Sequence, residues 1–127
     1  MTTEQLDLIS EFEVYVKNIQ DAELPTINKM IKDTLPVEPE HLKLREQDII
    51  GWLERAQEIL AVLTSYYDRA RFVFSPAKDY GSDKEKLIYI NAQTYKFREV
   101  KETFASKVDA LRNKMFSCKA GLSSYRP

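Results

Sequence analysis

Apolar residues in the middle of the chain fall at Ile49, Leu53, Ala56, Leu60, Leu63, Tyr67, Ala70 and Phe74, an unbroken 4-3-4-3 spacing. A helix turns by about 100° per residue, so these steps hold the side chains on one face, as a seam of the bundle or coiled-coil kind. The seam predicts a long helix ending near Phe74. Its start is set by "PVEPEH", where Pro39 suits a first helical position and Glu40 suits the positive end of the helix dipole. Gly51 weakens the run and reads as a close backbone approach or a slight bend.

A second seam, Phe97, Val100, Phe104, Val108, Leu111, Met115, Cys118 and Leu122, marks another long helix. It is expected to run unbroken from the capping pair Ser82 and Glu85 to about Leu122, after the turn-rich stretch "SPAKDYGSDKEK". Toward the N-terminus, Leu6, Ile9, Phe12, Val16 and Ile19 recur every three or four residues behind a second capping pair, Thr2 and Gln5. That helix is expected to stop before Pro25, because a residue preceding proline resists the helical region. A short helix, "TINKMIKDT", fits between Pro25 and Pro36, and "PVEPEH" is the main linker.

The pattern therefore predicts an all-α fold in one domain: acidic N-terminal helices over 1–36, and an elongated bundle built on a long antiparallel hairpin over 38–122. Two rods shield their seams poorly from one side. A homo-oligomer is accordingly expected, joined through Phe97, Phe104, Val108, Leu111 and Met115.

Composition narrows the classes. Hydrophobic residues make up 43% and charged residues 31% of 127, too apolar for a disordered chain, while three glycines and five prolines supply few turns for a sandwich or barrel. The longest uncharged runs, Ile59 to Tyr67 and Leu87 to Tyr95, fall well short of the ~18 residues of a membrane span, so no membrane association is expected. The acidic start "MTTEQLDLISEFE" lacks the basic-then-apolar order of a secretory signal. One cysteine forms no internal disulfide, which points to a reducing, cytoplasmic setting.

One histidine and one cysteine make no zinc constellation, and neither a glycine-rich phosphate loop nor a nucleophile elbow is present. His41 reads as a solvated helix-start residue and Cys118 as an inert seam thiol. No metal, cofactor or catalytic activity is expected.

Charge changes the picture more. The net charge of −1 hides a split, with −6 over residues 1–50 and +5 over residues 83–127. Along the last helix Lys101, Arg112, Lys119 and Arg126 recur in steps of 11, 7 and 7. They form a rail about 70° to one side of the seam, with Lys96, Lys107 and Lys114 about as far to the other. Such rails either pair with acids such as Glu54 and Glu58 on a neighbouring helix or attract a phosphate backbone.

The bend between the long helices adds Arg69, Arg71, Lys78, Lys84 and Lys86, with Tyr66, Phe72, Tyr80 and Tyr89 among or near them. Cations along phosphates with aromatic faces under splayed bases is the chemistry that holds single-stranded nucleic acid. Tyr67 and Phe74, on the seam, are assigned to the core.

The order of parts resembles the small UvsY-type recombination mediators of tailed phages. The likeness covers roughly residues 50–126 and lies in a long helix ending in the basic, tyrosine-rich "SYYDRARF". A short polar loop follows, then the capped helix "SDKEKLIYINAQTYKFREVKETFASKVDALRNKM" and the closing "KAGLSSYR". The resemblance implies an oligomeric helical protein that binds single-stranded DNA and helps load a recombinase onto strands covered by single-strand-binding protein. It maps the DNA-contacting stretch onto Arg69 and Arg71. Two other readings stay open. One is a protein-binding adaptor or inhibitor whose acidic N-terminal half imitates nucleic acid or docks a basic partner. The other is an oligomeric structural component that uses its rails only between subunits.

Overall fold

The computed structural model describes residues 1–125. Those residues form five α-helices and no strand: α1 Thr3–Ala22, α2 Leu24–Lys32, α3 Pro39–Val73, α4 Asp83–Gln93 and α5 Tyr95–Ser123. The all-α expectation is met. The most extensive packing lies between α3 and α5, and their seams largely follow the predicted spacing, except that Leu60 and Tyr67 are half-buried and Ile59, off the predicted line, is fully buried. Ile49, Leu53, Ala56, Leu63, Ala70 and Phe74 are buried on one side, and Phe97, Phe104, Val108, Leu111 and Cys118 on the other. Large apolar side chains of this kind contribute about 1.5–3 kcal/mol each when buried. The helices run antiparallel, since Phe74 meets Phe97 at one end and Leu42 shares a cluster with Cys118 at the other.

The N-terminal helices lie along this hairpin as a third rod. Gln5 Nε2 donates to the Val73 carbonyl at 3.2 Å, and Arg69 and Arg55 of α3 reach Glu11 and Glu23. So α1 descends α3 antiparallel to it. Farther down, Lys107 Nζ donates to Asn28 Oδ1 at 2.6 Å and Lys114 Nζ to the Asp33 carbonyl at 2.7 Å. The second lysine thus serves the negative end of α2, where the helix leaves carbonyls unpartnered. These contacts correct one expectation for the second rail: Lys107 and Lys114 meet neutral oxygens on α2, not acids.

Two boundaries differ from the expectation, each for a local reason. α2 begins at Leu24, with Pro25 inside its first turn, where a missing N–H is no loss. Glu23 closes α1 and opens α2, so the two helices form one bent rod with no linker between them. The last helix is two: the chain turns at Thr94, which is 1% exposed and donates its hydroxyl to the Ile90 carbonyl at 2.7 Å. Extending the α5 seam backward from Phe97 reaches Gln93, Ile90 and Lys86; two of the three are polar, so little holds a continuous rod against α3. α4 swings off the bundle and buries no residue.

A further difference concerns Gly51. A Cβ there would meet nothing within 4 Å, so no helix approaches it. The close approach is at Gly121, where a Cβ would lie 2.8 Å from Leu42 Cδ2. The residues expected to join copies are placed differently too. Phe97, Phe104, Val108 and Leu111 are buried in the chain's own core, and Met115 is half-buried between its two clusters.

Two outcomes follow from this packing. Gly51→Ala removes backbone freedom from an exposed helix interior with no steric conflict, so urea denaturation is expected to show a gain of roughly 0.5–1 kcal/mol. Arg55 grips Glu23 in a fork, with both N···O distances 2.7 Å, and these bonds pull the Glu23 carboxyl below the ordinary range against an opposing effect of burial. A depressed carboxyl pKa stabilises above the unfolded-state value and loses that contribution as pH falls through the folded value. Glu23→Gln is therefore expected to cost about 1 kcal/mol at neutral pH, with wild type and variant converging as pH falls below the folded pKa of Glu23. Denaturation midpoints at several pH values check it.

Candidate nucleic-acid interface

Where α3 ends, positions four apart on the helix put Tyr67 and Arg71 on one face. Arg71 donates to the Tyr67 hydroxyl at 3.2 Å and to Asn91 Oδ1 of α4 at 2.9 Å, and its guanidinium carbon stands 5.6 Å from the Tyr67 ring centre. From α5, Lys101 Nζ approaches the same ring at 4.9 Å. One tyrosine therefore gathers two cations from two helices. The attraction of a cation for a ring face contributes about 0.5–1 kcal/mol or somewhat more at such half-buried positions and leaves the positive charge uncancelled. Next along α5, Arg98 lies 5.6 Å from the Tyr95 ring centre and at the 4.0 Å limit of an ion pair with Glu102.

The bend beyond carries Lys78 and Lys84, both exposed, and Lys86, half-buried and donating to the Lys78 carbonyl. Among the described residues, no carboxylate comes within ion-pair distance of Arg71, Lys78, Lys84, Lys86, Lys101 or Lys119. Asp79, Asp83 and Glu85 share the bend with its three lysines, so the bend by itself is near neutral. The excess of positive charge comes from Arg71 and Lys101 on the α3–α5 flank. Aromatic surface is at hand: Phe72 is 82% exposed, and Tyr80, which touches Tyr89 at 5.0 Å between ring centres, is half exposed.

The remaining expected contacts divide. Arg69 points away from Arg71, toward α1, and pairs with Glu11 at 3.1 Å. Tyr66 is half-buried between Phe12 and Tyr15, with ring centres 5.6 and 5.7 Å away, and serves packing. Arg112 pairs with Asp109 of its own helix at 3.0 Å. Lys119 is exposed on the same rail, and Arg126 lies outside the described residues. The candidate interface that remains is Arg71, Lys78, Lys84, Lys86, Lys101 and Tyr80, with Lys119 farther down the rail.

Tyr67, assigned to the core from its seam position, is half-buried and organises the cations. The Tyr67–Arg71 spacing was the available signal. The meeting with Lys101 needs the register between α3 and α5, which no local pattern supplies.

No group of side chains suited to a metal ion occurs among the described residues. His41 sits exposed, 3.3 Å from Glu38. Burial among Leu42 and Ile49 pushes the Cys118 thiol up, away from the reactive thiolate form. None of the helices described is long and apolar enough to cross a membrane. No protein-family model matches the chain, and comparison with curated proteins and with solved structures gave no significant match.

The two tyrosines separate packing from surface roles. Tyr66→Ala is expected to lower unfolding free energy by about 2–3 kcal/mol, because the half-buried ring leaves a hole between Phe12 and Tyr15. Tyr80→Ala is expected to stay within roughly 0.5–1 kcal/mol of wild type. Denaturant titration of both variants distinguishes the roles.

Proposed function

We propose that this chain is a non-enzymatic protein that holds single-stranded DNA along the α3–α5 flank and the bend above it, as an accessory factor in DNA recombination. The observation that carries the reading is the pair of cations, Arg71 and Lys101, on the Tyr67 ring with no carboxylate in reach. A phosphate backbone would complete that site. Lys78, Lys84 and Lys86 extend it over the bend, where Phe72 and Tyr80 offer faces on which unpaired bases stack. Single strands suit this arrangement because their bases can splay onto isolated aromatic rings, which a closed duplex does not permit. The narrower recombination role, with a recombinase and single-strand-binding protein as partners, rests on the likeness to UvsY-type mediators in the order of helix, basic stretch, loop and capped helix.

The test is a salt series. A labelled single-stranded oligonucleotide is titrated by fluorescence anisotropy at several salt concentrations. Five neutralised phosphates predict a log–log slope of about −3.5, since each contact on a single strand contributes roughly 0.7. Lys84→Glu with Lys101→Glu is expected to flatten the slope to about −2, while Arg69→Gln, on the α1 side, leaves it unchanged. Absence of saturable binding at low salt would overturn the reading. A slope untouched by the Lys84 and Lys101 changes would place the DNA elsewhere on the molecule.

A further inference from the structure

α1 packs along α3, and α5 packs along α3, but α1 and α5 make little contact with each other. The Phe12 and Phe97 rings bridge them, 4.4 Å apart at the centres. Around that bridge an apolar groove of about 540 Å³, lined by both rings, opens between the two helices, and a second hollow of about 200 Å³ continues it toward α2. Ile9 and Val16 of α1 and Val100 of α5 are partly exposed in it. Three rods with one open flank form a four-helix arrangement that lacks a member.

The rims identify the occupant. Glu13 and Lys17 stand on the α1 side, Lys96 and Glu99 on the α5 side, and all four are exposed. None of them makes an ion pair with a described residue. Two acids and two bases around one apolar floor make a surface that complements itself. A two-fold axis requires such self-complementarity, because each residue type on one subunit meets the other subunit's copy of the same patch.

We propose that the α1–α5 groove is the contact face of a two-fold homodimer, in which a second copy lays its α1 antiparallel into the groove. With the axis at the level of Tyr15, Glu13 of each copy meets Lys17 of the other, and the two copies of Val16 meet beside the axis. The dimer core is then four helices, α1 and α5 from each chain. This face differs from the one the seam spacing suggested, whose residues are internal. It lies on the side of α5 away from Lys101, so the dimer leaves the proposed DNA flank uncovered.

The experiment is sedimentation equilibrium of the full chain over a wide concentration range, with helical circular dichroism as a check on folding. Wild type is expected to dimerise, and Val16→Asp with Val100→Asp to weaken the dimer by at least about tenfold. Glu13→Lys and Lys17→Glu are each expected to weaken it, and the double exchange to restore it to within about threefold of wild type. These exposed rim residues keep the test valid should the valine variants misfold. A monomer at every concentration would overturn the proposal and leave the groove to a helix from another protein. A dimer indifferent to the groove variants would also overturn it, as would a double exchange no tighter than the single ones. DNA titration of the dimer-breaking variant is read separately, since its outcome bears on the Lys101 flank alone.

Discussion

The apolar seam shared by α3 and α5 is the constraint on which everything else in this molecule rests. It contains most of the buried apolar side chains, and the other helices add to it without replacing it. Because both seams repeat every three and four residues, the two rods lie nearly parallel to a common axis and meet over most of their length. α1 can bury Leu8, Phe12 and Ile19 only because the α3–α5 pair already presents an apolar floor. The same pairing fixes the level at which Lys101 meets Tyr67. A shift by one turn, about 5.4 Å, would separate them.

Charge is distributed over this frame by function of place. Basic residues that face α1 or α2 are tied down: Arg55 to Glu23, Arg69 to Glu11, Lys107 to Asn28 and Lys114 to the end of α2. Two acids of the N-terminal third, Glu23 and Glu11, thus neutralise the two arginines on that side, while the two lysines meet neutral oxygens. On the other side, Arg71 and Lys101 are organised by a ring and not by an acid. Ion pairs of the first kind contribute modest stability and define how the helices sit against one another. Cations of the second kind keep their field, which a screened surface pair does not.

Much of this architecture was legible from periodicity. The α3 and α5 seams, both capping pairs and the bend at Pro76 and Gly81 all express local rules, and each is found where its residues place it. The break at Thr94 was legible only from the polar Gln93 and Lys86 on the extended seam, a weaker mark than a glycine or proline. Tertiary pairings were out of reach. Nothing local distinguishes Arg69 from Arg71, yet two steps of about 100° send one toward Glu11 and the other toward Asn91. Likewise, seam residues suited to joining copies and seam residues buried within one chain obey the same spacing. Only the presence of α1 and α2 over the hairpin decides between them.

The hairpin also implies an order of assembly. About three times as many residues separate Leu42 from Cys118 as separate Phe74 from Phe97, so closing the far contact costs roughly 1 kcal/mol more in loop entropy. Pairing of the rods is therefore favoured first beside the bend and spreads away from it, as a zip closes. Fraying runs in the opposite direction. Cys118 is buried at the end that parts first, and the rate at which a thiol reagent reaches it would time that opening.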